Sequence, residues 1–407
     1  MISSKTMKKL QFKNRVNLYL LISYFQQILF LTFGFNFDWR STLQFQVDLS
    51  NKVNPFDISN GATFFPPRFF LDTPAYIISS HLNNLFGFNF HRFIHMSIYF
   101  MLTLLVIKYC EDQIDTRILK YWLVFPLFNF FAAFQHQHDG FVAICSVLLI
   151  KKFYNTFDKK TIFFTVSLLV FFTLHKPILI FFYFIIIFSK IELFKKLLLV
   201  ISGLVNITFY IFIFQIVGFN GVKINVIEVT RKVLNYGGFG NRPFFELIGY
   251  NFNPFYTKYL TISIFIFFVA TISIFFRNNK INLEQSFVYY LLTFFIFSPT
   301  LATQNIAVIF VALSFFKNTN YLFNKYIFKI IEIYTTLYVI FYNIGRPPKD
   351  SIYLLSIVYN YFISPGNLFL LHLIPDEQYM SNFVAIAIIF LFIKLYEDLL
   401  PVKNNNS

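Results

Sequence analysis

Residues Thr161–Leu174 read TIFFTVSLLVFFTL, and this uncharged run decides the fold class. A membrane strand alternates every second residue between lipid-facing and lumen-facing positions. This run does not alternate, and neither does ILIFFYFIIIF at 178–188. Lipid requires every backbone polar group to be satisfied within the spanning element, so non-alternating apolar runs that recur along a chain are helices. Composition agrees. Hydrophobic residues make up 57% and charged residues 13% of the 407, with a mean hydropathy of +0.61. A soluble domain usually carries about 25% charged residues.

The net charge of +15 does not indicate a nucleic-acid partner, because the lysines and arginines fall in short clusters between apolar runs, as topology signals do. The two cysteines, Cys110 and Cys145, form no disulfide framework and no metal spacing. The 63 phenylalanines fit an AT-rich coding sequence better than an aromatic binding surface. The first apolar run is long, has no small-residue cleavage site and is followed by many more, so a cleaved signal peptide is not expected.

The basic start KTMKKLQFKNR places the N-terminus in the cytoplasm. From there the sequence predicts an all-α, polytopic transmembrane bundle of about 12 spans forming a single integral membrane domain over 1–407. The spans fall near 17–35, 91–110, 121–134, 139–150, 161–175, 177–189, 197–217, 258–276, 284–299, 305–316, 326–343 and 378–394, and the C-terminus is also cytoplasmic. Residues 36–90 form a first outer loop that includes a juxtamembrane surface helix at 68–86, interrupted by Asp72, Pro74 and His81. Residues 218–257 form a large late outer loop, and 351–374 a second outer surface segment. Most of the 34 Lys and Arg residues then lie inside, although the inner loops are the shorter ones.

This topology gathers polar chemistry on the outer face: Asp38, Arg40, the Pro66-Pro67 pair, Arg68, His136, His138, Asp139, Lys176, Arg231, Arg242, Thr303 and Gln304. Ionisable groups at span ends are functional candidates because they are costly near lipid. QHQHDG carries ligand-type side chains, but adjacent loop residues make poor metal geometry, so no metal and no other cofactor is expected. GGFG at 237–240 has no strand before it and no Gly-Lys-Ser after it, so it is loop glycine rather than a phosphate-binding loop.

An ordered set of short elements carries a resemblance. Asp38 follows the first span, NPFD stands at Asn54–Asp57 and FPPR at Phe65–Arg68. QHQHDGF follows the third span, HKP stands at 175–177, GGFGNRPFFELIGYN at 237–251 and SPTLATQN at 298–305. In order and spacing this resembles the GT-C glycosyltransferases that use polyprenyl-phosphate sugars. The nearest in pattern are bacterial mannosyl- and arabinosyltransferases and the catalytic subunit of the first mannosyltransferase of glycolipid-anchor synthesis. The chain departs from the pattern at Lys52, where the family carries Gly, and at Phe for Tyr in both NPFD and FPP.

The resemblance implies an inverting hexosyltransferase that moves a hexose or pentose from a polyprenyl-phosphate donor to a glycan or lipid-linked acceptor at the outer or luminal face. Asp38 at the mouth of the first span is the expected general base, with Asp48, Asp57 and Asp72 as secondary acids. Lys176 and Arg242 are expected to stabilise the leaving lipid phosphate, with His136 or His138 as hydrogen-bond donors. Arg40, Arg68, Asp139 and Gln304 complete the expected substrate-binding set. Its partners are the donor, the acceptor and membrane lipid, in a bacterial plasma membrane or alternatively an endoplasmic reticulum membrane. Rival readings are an O-antigen-type polymerase or ligase, a lipid-linked oligosaccharide flippase or other carrier, and a non-catalytic subunit.

Overall fold

The computed structural model describes residues 4–32, 88–113, 116–134, 138–175, 180–209 and 254–297, with isolated positions at 333, 385, 388 and 389. Among the described residues the chain is all-helical, without a strand. The α-helices given whole by the described residues are α1 (Ser4–Thr32), α2 (Phe88–Tyr109), α3 (Thr116–Val124), α4 (Pro126–Phe134), α5 (Asp139–Asn155), α6 (Lys159–His175), α7 (Ile180–Phe188), α8 (Leu193–Thr208), α9 (Pro254–Arg277) and α10 (Leu283–Phe297). A short 3₁₀ turn, Glu111–Gln113, follows α2. The expected tenth span and both surface segments lie outside the described residues, and of the eleventh and twelfth spans only 333, 385, 388 and 389 are described.

Among the described residues two helices are long and apolar enough to cross a membrane, Arg92–Tyr109 within α2 and Tyr259–Arg277 within α9. Large apolar side chains stand exposed along several helices: Leu21 and Phe25 on α1, Met101 and Leu105 on α2, Phe163 and Phe164 on α6, Leu197, Ile201 and Leu204 on α8, and Ile266 and Phe267 on α9. So much exposed apolar surface fits contact with lipid.

The chain divides into two compact units. In the first, α1 packs on α3 and α4, α2 on α1 and α5, α5 on α6, and α6 on α8. In the second, α9 and α10 form a helical hairpin. Its turn is fixed locally. Asn279 takes a positive φ of 54°, a left-handed conformation that asparagine tolerates, and Lys280 N–H reaches back to the Phe275 carbonyl at 3.0 Å, closing α9. Asn282 then caps α10 reciprocally: its Oδ1 accepts from Gln285 N–H at 2.8 Å while Gln285 Oε1 accepts from Asn282 N–H at 2.7 Å. Phe182 of α7 packs edge-to-face on Phe287 at 5.2 Å, and Phe181 does the same on Phe265 at 5.2 Å.

The run expected as a single third span at 121–134 is instead two nine-residue helices that part at Phe125. Pro126 is the cause. It has no N–H to continue α3, and its fixed φ suits the first position of a new helix. The carbonyls at the end of α3 are satisfied from outside the helix. Asn129 Nδ2 donates to the Leu123 carbonyl at 3.0 Å and Gln26 Nε2 donates to the Val124 carbonyl at 3.1 Å. Asn129 Oδ1 accepts from Ser23 Oγ at 2.7 Å and from Gln27 Nε2 at 3.1 Å, and Asn129 Nδ2 also donates to Gln26 Oε1. This buried amide network ties α1 to the break.

The end of the first unit where α2 finishes is held by polar side chains. Tyr109 Oη lies 2.9 Å from Thr165 Oγ1, Lys152 Nζ pairs with Asp112 at 2.6 Å, and Asn155 Nδ2 donates to Gln113 Oε1 at 2.8 Å. Asp158 caps α6, accepting from both the N–H (2.8 Å) and the Oγ1 (2.6 Å) of Thr161. These two bonds hold the Asp158 carboxyl below the usual aspartate range. Lys195, at the start of α8, buries its side chain and donates from Nζ to the Tyr154 carbonyl at 2.9 Å, supplying one of the open acceptors at the end of α5.

Candidate functional site

The opposite end of the first unit, where α2 begins, α4 finishes and α5 begins, holds a cluster of buried ionisable side chains. Arg92, His95 and Tyr99 follow one another along a single face of α2 at helical spacing. Each is almost fully buried. Arg92 Nη2 donates to the Ala133 carbonyl near the end of α4, at 3.4 Å. Tyr99 stacks on His138, with ring centroids 3.6 Å apart and planes within 12°. The stripe is therefore held at both ends, by Ala133 near the end of α4 and by His138 just before α5, and His95 lies between the two contacts on the same face.

Gly140 sets the packing where α5 begins. His138 precedes α5, and its carbonyl accepts from Val142 N–H at 2.9 Å, starting the helix. Gly140, two residues further on in α5, faces the Phe128 ring of α4 so closely that a Cβ at this position would stand 2.8 Å from Cε1. The missing side chain lets α4 and α5 approach, and that approach brings His138 onto Tyr99.

Of the residues expected to form the site, His138 is thus buried and stacked at this end. Asp139 is the first residue of α5. Asp38, Arg40, Arg68, His136, Lys176, Arg242 and Gln304 lie outside the described residues, as do Asp48, Asp57, Asp72 and Arg231. Arg92 and His95 were not among the expected residues. Their signal is readable in HRFIH at 91–95: two ionisable side chains three positions apart at the start of an apolar helix share a face. Among the described residues no group of three or more His, Cys, Asp or Glu side chains is placed to hold a metal ion.

Chemically the cluster offers a guanidinium, two imidazoles and a phenol. Arginine presents planar paired donors that suit phosphate or carboxylate oxygens, and histidine can hold or pass a proton near neutral pH. Among the described residues, fold and cluster together give an all-helical arrangement with two helices fit to cross a membrane and a buried polar cluster in the first unit. No family profile matches the chain, and no curated protein or solved structure matches it.

Proposed function

We propose that the chain is a multi-pass membrane glycosyltransferase of about 12 spans, in a bacterial plasma membrane, that takes its sugar from a polyprenyl-phosphate donor. The observation that carries this reading is the buried Arg92–His95–Tyr99–His138 cluster at the end of α2 that the charge bias assigns to the outer face. Arg92 opens the apolar stretch of α2, and a cation there with imidazoles behind it suits a lipid phosphate leaving group, whose developing charge it stabilises. The ordered motifs from Asp38 to Gln304 supply the rest of the reading, with Asp38 as the base that takes the acceptor proton.

The test is transfer of labelled sugar from a synthetic polyprenyl-phosphate donor by membranes containing the chain. Wild type transfers, and Asp38→Asn loses at least about a hundredfold, the lower range for general-base catalysis, with the protein still inserted. A helix-capping aspartate would tolerate asparagine, so an Asp38→Asn protein with near-wild-type rate moves the base elsewhere. Absence of transfer by the wild type from every polyprenyl-phosphate sugar tried removes the reading.

A carrier of lipid-linked glycan is the second reading, favoured by the break at Phe125. Discontinuous helices with polar side chains at the break are a feature of transporter sites. Here the break carries the Gln26, Gln27 and Asn129 amides. Movement of a lipid-linked glycan across vesicles without any new glycosidic bond would favour the carrier.

A further inference from the structure

The lysine-rich end of the first unit carries an arrangement that neither sugar transfer nor carriage requires. Three segments meet there: the end of α5, the loop into α6, and the start of α8. Lys159 Nζ lies 5.8 Å from the Phe194 ring centroid, and Lys195 Nζ lies 5.2 Å from that of Phe157 and 5.7 Å from that of Phe153. Each contact joins a lysine of one segment to an aromatic of another. The sequence pairs KKFYNTFDKK and IELFKK are thereby placed side by side.

Two of the nearby acids are already engaged, and Glu192, just before α8, faces Lys195 electrostatically. Asp158 is committed to the α6 cap and Asp112 to Lys152. Among the described residues no carboxylate forms a close ion pair with Lys159, Lys160 or Lys196, although Asp158 attracts Lys160 at longer range. Between these cations stand apolar side chains that water would not favour: Phe157 is 79% exposed and Leu193 72%. One to two turns further along, the same helices show Phe163, Phe164, Leu197 and Ile201 exposed. The cationic rim is therefore continuous with an apolar belt.

We propose that this rim binds the headgroup of an anionic phospholipid, with Phe157 and Leu193 inserted at the boundary between headgroups and acyl chains. The proposal rests on the membrane reading above but not on sugar transfer. The lysine ammonium groups attract phosphate as point charges, while their stems and the aromatic rings occupy the interface. An acidic soluble protein would match the lysines and leave the adjoining belt uncovered; a lipid matches both. Basic residues beside a membrane segment add about fivefold each to the affinity for an anionic surface, so three of them contribute on the order of a hundredfold.

The experiment uses the full chain in nanodiscs of phosphatidylcholine with added phosphatidylglycerol, and counts retained phosphatidylglycerol by native mass spectrometry after detergent extraction. The wild type retains it in preference to phosphatidylcholine, and raised salt during extraction lowers the retention. The combined variant K159Q/K160Q/K196Q weakens retention on the order of a hundredfold, while K159R/K160R/K196R keeps it. Equal retention of the two lipids by wild type, or unchanged retention in the glutamine variant, overturns the proposal. If alkaline carbonate strips the chain from membranes, the membrane reading falls with it. An inserted chain without lipid preference overturns the lipid site alone.

Discussion

Gly140→Ala probes the approach of α4 and α5 directly. The added Cβ would stand 2.8 Å from Phe128 Cε1 and 3.2 Å from Cγ, and closer still to Cδ1. Ordinary carbon contacts begin near 3.5 Å, so something must shift. The ring cannot do so cheaply. Phe128 is 1% exposed and packs edge-to-face on Phe125 at 5.5 Å. Overpacking of this kind costs about 1–3 kcal/mol. Alanine returns about 1 kcal/mol as the better helix former, and less at a second helical position than in a helix interior. The net effect is a destabilisation of about 1–2 kcal/mol, read as a lower midpoint of thermal unfolding in detergent. The variant should also loosen the Tyr99–His138 stack, because His138 is two residues away on the same turn. Phe128→Leu in the same chain opens the space and should recover part of the loss, a coupling expected of residues in contact. An unchanged or raised midpoint for Gly140→Ala alone would refute the close approach.

Asn129→Leu removes an amide that makes four hydrogen bonds to Ser23, Gln26, Gln27 and Leu123; at about 0.6 kcal/mol per buried bond within a membrane bundle, a loss of roughly 2 kcal/mol is expected in an unfolding titration. Asp112→Asn should cost at most about 1 kcal/mol, because its side chain is 55% exposed. Partial burial raises the Asp112 pKa, but hydrogen bonds from Lys152 and Gln113 outweigh it and leave the carboxyl below its usual value. Its contribution is therefore fully present above about pH 4 and fades as pH falls through the lowered folded-state value, so the two proteins should converge in stability in acid. A cysteine at Asn155 should resist an impermeant thiol reagent applied from outside intact cells, and one at Asn60 should react, as the charge bias requires; the reverse labelling inverts the assignment of faces.

The helices were legible wherever charge and turn chemistry punctuate the apolar text. KYCEDQ closes α2, NTFDKK separates α5 from α6 with Asp158 as the cap, and RNNKINLEQ spells out both the end of α9 and the start of α10. Expected spans at 139–150, 161–175, 258–276 and 284–299 overlie α5, α6, α9 and α10. The break at Phe125 was harder to read. Pro126 was visible, but a proline can bend a helix or end it. What distinguishes the two here is Gln26 and Asn129 reaching the loosened carbonyls, a pairing between residues 103 positions apart that no local pattern encodes. The candidate site was partly legible for a similar reason. His138 stood out in a polar turn, whereas Arg92 and His95 were read as part of a span, and only the fold of α4 back onto α2 shows that they share its neighbourhood. The remaining expected residues, Asp38 among them, fall on segments outside the described residues.

The break at Phe125 also binds the history of several positions together. Pro126 is tolerable only while Gln26 and Asn129 serve the carbonyls it leaves open, and those amides are tolerable in an apolar setting only while the break gives them work. No one-step route leads away from this arrangement without loss. Replacing the proline first leaves the amides competing with a continuous helix, and replacing an amide first strands a carbonyl. Divergent copies of this sequence should therefore keep the proline and amides as a set, or exchange them as a set for an unbroken helix facing an apolar α1. An alignment in which Pro126 varies freely against Gln26 and Asn129 would show that the two features evolve separately.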